Sequence, residues 1–174
     1  MKNNVVLIGM PGVGKSTIGV ILAKELGYQF MDTDLIIQKK ENRLLREIIE
    51  QEVVDWFLDV ENQVNSGREA ERTVIATGGS ALYGREAMKH FREIGTIIYL
   101  RLPFEKLRER LGNLRGRGVV LKENQSLRDI FEERSVLYQQ YADVIIDEEN
   151  KDIESTLREI LNFCLQIDVD ELIL

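Results

Sequence analysis

Residues 9–16 read Gly9-Met10-Pro11-Gly12-Val13-Gly14-Lys15-Ser16, a spacing whose chemistry is the binding of polyphosphate. Glycines placed in this way let the backbone curl so that its N–H groups point inward at phosphate oxygens. Lys15 adds a point charge for the outer phosphates, and the Ser16 hydroxyl can ligate Mg²⁺. Gly12, Val13, Gly14, Lys15, Ser16 and Thr17 are therefore the expected nucleotide contacts. A ligand-free glycine-rich turn is the alternative, and it leaves the lysine and the hydroxyl unexplained. Two other short stretches carry polar groups at the ends of apolar runs: Asp32-Thr33-Asp34 and Gly78-Gly79-Ser80. A paired aspartate after a strand suits charge and proton handling, but an Asx turn or a helix N-cap uses the same residues. Arg108, Arg110, Arg115 and Arg117 cluster against the overall sign of the chain. Such a cluster is either a site for a small anion or a solvated helix face.

The elements that must position these groups alternate along the chain. Val5–Ile8 is an apolar run leading into the loop, and the helical spacing of residues 17–26 follows it. Tyr28–Met31 is a short strand, residues 35–66 are helical in two or three pieces, and Thr73–Thr77 is a β-branched run ending at Gly78-Gly79. Next come a helix near 84–93, the strand Thr96–Leu100, and a helix that Pro103 opens and that runs to about Leu111. Gly112, Gly116 and Gly118 then interrupt the pattern in an Arg-rich loop. A helix over 126–141, the strand Asp143–Asp147 and an amphipathic helix over 151–166 complete it. Strands that are continuous apolar runs between helices mean an α/β fold with a mainly parallel sheet. Ligands of such sheets lie beyond the strands' carboxyl ends, so the three polar stretches are expected to share one crevice.

The length of 174 residues fits one domain, 1–174, and the 44% hydrophobic and 30% charged composition is that of a globular chain. No apolar run reaches the length of a membrane span, and no signal peptide precedes the first strand, so a cytoplasmic protein without membrane partners is expected. A net charge of −7 disfavours nucleic acid as a partner. Cys164 is the single cysteine, which excludes an internal disulfide and predicts a buried structural thiol. A small-molecule substrate is the expected partner. The chain is expected to be a monomer, with a dimer as the alternative.

Together these residues resemble the shikimate kinases over roughly residues 4–165. Asp32-Thr33-Asp34 matches that family's Asp-Thr-Asp element, Gly78-Gly79-Ser80 its Gly-Gly-Gly turn, and Arg117 its lid arginine. Arg134 matches the arginine of its Arg-x-x-Leu-Tyr element, and Arg110 the arginine near adenine. The resemblance implies a three-layer P-loop kinase fold of the nucleoside monophosphate kinase kind, with a five-stranded parallel sheet flanked by helices. It also implies a substrate-binding helical segment at about 33–66 and a lid at about 112–124. The implied reaction moves the γ-phosphoryl group of ATP, with Mg²⁺, to a hydroxyl of shikimate, giving shikimate 3-phosphate for aromatic amino acid biosynthesis. Lys15, Asp34 and Arg117 are then the catalytic residues, and Arg110 and Arg117 join the phosphate loop in holding ATP. Asp34, Gly78, Gly79, Ser80 and Arg134 hold the acceptor, and Ser16 and Asp32 hold the metal, Asp32 through water.

Three positions depart from the family pattern. Phe57-Leu58 stands where a Phe-Arg pair is usual, Ser80 replaces a glycine, and Gly118 follows Arg117 in place of proline. Alternatives to shikimate phosphorylation are a kinase of a related polyol or sugar acid, and a nucleotide-binding regulatory module without transfer activity.

Overall fold

The computed structural model describes residues 3–111, 119–120 and 124–172, with side chains as far as residue 166. The expected lid, including Arg117, therefore lies outside the described residues apart from Val119, Val120 and Asn124. In chain order the elements are β1 (Asn4–Ile8), α1 (Lys15–Leu26), β2 (Gln29–Asp32), α2 (Thr33–Glu41), α3 (Leu45–Gln51) and α4 (Val54–Ser66). Then follow β3 (Thr73–Ala76), a 3₁₀ turn over Ala81–Tyr83, α5 (Arg85–Ile94), β4 (Gly95–Arg101), α6 (Phe104–Leu111), α7 (Leu127–Tyr141), β5 (Val144–Asp147) and α8 (Ile153–Leu172).

The five strands form one parallel sheet in the order β2-β3-β1-β4-β5. From β1 the chain crosses to β2 on one side, whereas the connection from β3 passes over β1 to reach β4 on the other. Right-handed crossovers in opposite directions place their helices on opposite faces. Accordingly α1 packs with α8, while α4, α5 and α7 cover the other face. The reversal sits at β1, and the crevice beyond its carboxyl end is where such a sheet binds ligands.

Burial follows position in the sheet. All of β1 and β3 is buried, as is Ile97–Leu100 of β4, because both faces are covered by helices. The edge strands β2 and β5 are only partly covered. A satellite apolar cluster of Ile37, Ile48, Phe57, Val60, Val64 and Val120 joins α2, α3 and α4 into a wall beside the crevice. Most element boundaries shift by a residue or two from the sequence reading, and two of the shifts have a clear physical content. α1 begins at Lys15 because Gly14, with φ +115°, serves as its N-cap and adopts a backbone that side-chain-bearing residues avoid. α8 runs to Leu172, so Asp168–Leu172 continue the helix rather than forming a separate tail. Cys164 is half-buried against the core, less enclosed than expected.

Candidate active site

The phosphate loop joins β1 to α1, and its geometry fixes the lysine. Lys15 is buried, and its Nζ donates to the carbonyls of Gly9 (2.8 Å) and Met10 (3.0 Å). Burial lowers its pKa to about 8, against the pull of Asp34 and Asp32, which favour the charged form. Gly12, Gly14, Lys15, Ser16 and Thr17 line a cavity of about 330 Å³. Val13 lies on the other side of the loop, facing a second cavity of about 160 Å³ that Gly14 and Thr17 share with the first.

The three residues Asp32-Thr33-Asp34 divide three tasks. One Asp32 oxygen, Oδ1, caps α2 by accepting from the Asp34 and Leu35 N–H groups, at 3.0 and 3.4 Å. The other, Oδ2, accepts from Ser16 Oγ at 2.6 Å. The capping alternative therefore holds for Asp32 while its other oxygen still meets Ser16 of the phosphate loop. Thr33 Oγ1 accepts from the Gly78 N–H at 3.3 Å and ties α2 to the turn after β3. Asp34 faces the cavity, and burial, with Asp32 nearby, raises its pKa to about 6 despite Lys15.

Gly78, Gly79 and Ser80 form the cavity floor. A Cβ on Gly78 would lie 2.2 Å from Glu61 Oε1 and 2.8 Å from Asp34 Oδ1, so only glycine admits both carboxyls. The Gly79 carbonyl accepts from Arg134 Nη1 and from the Tyr138 hydroxyl. Arg134 is 2% exposed and also donates to Val120 O at 2.8 Å; its Nε is buried without a partner. None of the ion pairs among the described residues includes it. A buried guanidinium held by carbonyls keeps its charge free for an anion entering the cavity.

Glu61 has no place in the sequence-derived site, yet it lines the same cavity and is 1% exposed. Ser80 Oγ donates to its Oε2 at 2.6 Å, and Oε1 has no partner. Burial, and then the neighbouring Asp34, push its pKa up to about 8, so it is mostly protonated at neutral pH. Its signal in the sequence is a carboxylate on the apolar stripe Phe57, Val60, Glu61, Val64 of α4, where a solvated acid has no reason to be. Leu58 is not part of the cavity wall; it packs half-buried against the satellite cluster. Arg46 is exposed and contributes nothing to the cavity.

The arginine cluster separates. Arg108 pairs with Glu105 on an exposed face of α6, so for it the solvated reading holds. Arg110 instead reaches the second cavity, donating to Val13 O at 2.9 Å and lying 3.5 Å from Glu148 Oε2. Arg115 and Arg117 lie outside the described residues. Among the described residues no group of three or more acidic, histidine or cysteine side chains forms a metal cage.

Comparisons with known proteins bear on the chain as a whole. The family model described as "Shikimate kinase" matches residues 11–165. A shikimate kinase of Persephonella marina is 33% identical over 159 residues, covering 91% of this chain and 96% of that protein. Shikimate kinase 2 of Yersinia pseudotuberculosis is 35% identical over 156 residues, covering 84% of this chain and 87% of the relative. Among solved structures, the shikimate kinase of Acinetobacter baumannii in complex with shikimate superposes with a TM-score of 0.83 at 30% identity. It covers 94% of this chain and 93% of its own.

Proposed function

We infer from one premise, that this chain belongs to the shikimate kinase family, that it transfers the γ-phosphoryl group of ATP to a hydroxyl of shikimate. It is an ATP-dependent phosphotransferase acting on an alcohol, with the P-loop kinase fold. The observation that carries the assignment of roles is the single cavity in which Lys15, Asp34 and Arg134 meet beyond the carboxyl ends of β1, β2 and β3.

Phosphoryl transfer asks a protein for position and charge rather than covalent chemistry. The phosphate loop and Lys15 hold the β- and γ-phosphates, and negative phosphate beside Lys15 restores the proton that burial weakens. Asp34, poised near pH 6, accepts the hydrogen bond of the acceptor hydroxyl and takes its proton as that oxygen attacks phosphorus. Arg134 holds the acceptor's carboxylate. Because burial keeps Glu61 mostly protonated at neutral pH, it adds little negative charge to the acceptor's path, and its free Oε1 is available to a ring hydroxyl. Arg117 would complete the charge stabilisation from the lid, and we propose that residues about 112–124 serve as that lid over a single domain, 1–174. Shikimate 3-phosphate is the proposed product.

Mg²⁺ fits the residues present. Ser16 Oγ and Asp32 Oδ2 stand together at the start of α1, and one hydroxyl with one carboxylate suits an ion that takes its remaining ligands from phosphate and water. When bound, the ion neutralises developing phosphate charge. The absence of a membrane-spanning helix among the described residues accords with a cytoplasmic location, which we propose together with a monomeric state. Release of ADP, followed with shikimate and with a panel of polyols and sugar acids, tests the acceptor. Turnover with shikimate at least ten times faster than with any other acceptor is expected. Turnover on a polyol alone would favour the related-kinase reading.

A further inference from the structure

Tyr83 touches both members of a pair of opposite charges that do not bond to each other. Its ring lies against the Arg134 guanidinium, 5.4 Å from ring centre to Cζ, and its hydroxyl donates to Oε1 of Glu133, the residue before Arg134 on α7. The second Glu133 oxygen, Oε2, accepts from Gln125 Nε2 at 3.2 Å. Both oxygens of this exposed carboxylate are thus engaged away from Arg134, which instead donates to the carbonyls of Gly79, at 3.3 Å, and Val120, at 2.8 Å. The tyrosine is held in place by its own turn. It closes the 3₁₀ turn after the cavity floor, where its N–H donates to Ser80 O at 3.0 Å, and its ring packs half-buried against the core. Burial and the bond to Glu133 raise its pKa, with Arg134 opposing, so the hydroxyl keeps its proton and remains a donor.

A buried guanidinium recovers part of its lost hydration from the face of an aromatic ring, and it does so without using an N–H donor. A carboxylate in the same place would take up those donors in a bidentate pair and cancel the charge. Arg134 lines the cavity and, in the proposed reaction, holds the acceptor's carboxylate, so an internal pair with Glu133 would compete directly with substrate. We propose that Tyr83 is a positioning residue that keeps Glu133 off Arg134 and so reserves the guanidinium for an anionic acceptor. The proposal rests on the reading of Arg134 as the carboxylate site of a shikimate-phosphorylating enzyme. Tyr83 lies behind the cavity wall and acts through Arg134.

Steady-state kinetics at saturating ATP, with shikimate and with its uncharged carboxamide as acceptors, tests this. Tyr83→Phe keeps the ring and frees the Glu133 carboxylate to swing toward Arg134. KM for shikimate is expected to rise about fivefold, the scale of one partly exposed ion pair. kcat should stay within about twofold, because a carboxylate remote from the reacting hydroxyl is bound alike in ground and transition states. KM for the carboxamide, which carries no charge for Arg134 to meet, should also stay within about twofold. Combining Tyr83→Phe with Glu133→Gln removes the competing charge and should return KM for shikimate to within about twofold of the parent. Calorimetric binding of shikimate should follow the same order. A parent-like KM in Tyr83→Phe, an equal rise for both acceptors as for a residue that only supports the fold, or no recovery in the double variant would overturn the proposal. Such results with shikimate still phosphorylated by the parent leave the kinase reading standing. If the parent neither binds nor phosphorylates shikimate, both are overturned.

Discussion

Gly78→Ala is the sharpest perturbation the site offers, because a single methyl group meets both cavity carboxyls at once. The added Cβ would stand 2.2 Å from Glu61 Oε1 and 2.8 Å from Asp34 Oδ1, where ordinary contact begins at 3.4 Å. Restoring contact moves Glu61 Oε1 by about 1.2 Å (3.4 − 2.2) and Asp34 Oδ1 by about 0.6 Å (3.4 − 2.8). Both atoms are side-chain ends that yield by rotation, Glu61 at the expense of the 2.6 Å bond from Ser80, so the substitution displaces the carboxyls rather than the backbone. A misplacement near 1 Å at reacting groups costs on the order of a hundredfold in rate. We therefore expect kcat/KM for shikimate to fall by about 10²-fold. The dissociation constant of ATP should stay within about twofold, since no loop atom is touched. Steady-state kinetics and calorimetric ATP binding on the same preparation separate the two effects, and a folded thermal transition confirms the comparison. A variant keeping a third or more of the parent's kcat/KM would refute the placement of Asp34 and Glu61 about the acceptor.

Other outcomes follow from the same geometry. Lys15→Ala should abolish transfer and weaken ATP binding, because it removes the loop's only side-chain cation; kcat within a few fold of the parent would count against the site. The pH profile of kcat/KM should rise through about 6 as Asp34 ionises and decline through about 8, where Lys15 loses its proton and Glu61 gains charge. At saturating ATP the alkaline limb of kcat should move upward, because phosphate holds the proton on Lys15. Glu61 has a folded pKa raised from 4.5 to about 8, so its contribution to stability is full below 4.5 and is lost as pH rises through about 8. Thermal denaturation of Glu61→Gln should accordingly gain on the parent across that interval, and a constant difference would mean Glu61 is ionised throughout. Ser80→Ala strands a buried carboxyl oxygen and should cost about 1–3 kcal/mol in denaturant unfolding, whereas an unchanged midpoint would dismiss the Ser80–Glu61 bond.

Much of this was legible in the sequence because the informative residues are local. The phosphate loop is contiguous, and its position after an apolar run and before a helix announces both fold and ligand. Asp32 and Asp34 were readable as a pair, but not the division by which one oxygen of Asp32 caps α2 and the other faces Ser16. Glu61 and Glu148 were missed for a shared physical reason. An acid is normally solvated, and its burial comes from elements distant in sequence: the turn after β3 for Glu61, and α6 with the loop for Glu148. Leu58 drew attention as a lost cation, whereas the structure spends it on packing α4 against its neighbours. The extension of α8 to Leu172 escaped notice because Asp168, Asp170 and Glu171 interrupt the amphipathic pattern without breaking helical backbone.

The central claim is that Asp34 in this cavity receives the proton of a shikimate hydroxyl as it takes the phosphoryl group from ATP. Its most direct test is a single-turnover reaction with γ-labelled ATP and shikimate, quenched and resolved into labelled shikimate phosphate and labelled inorganic phosphate, for the parent and for Asp34→Asn. The account predicts label in shikimate phosphate from the parent and at least a hundredfold slower transfer by Asp34→Asn, with ATP binding retained. Label recovered only as inorganic phosphate, or equal transfer by the two proteins, would contradict it.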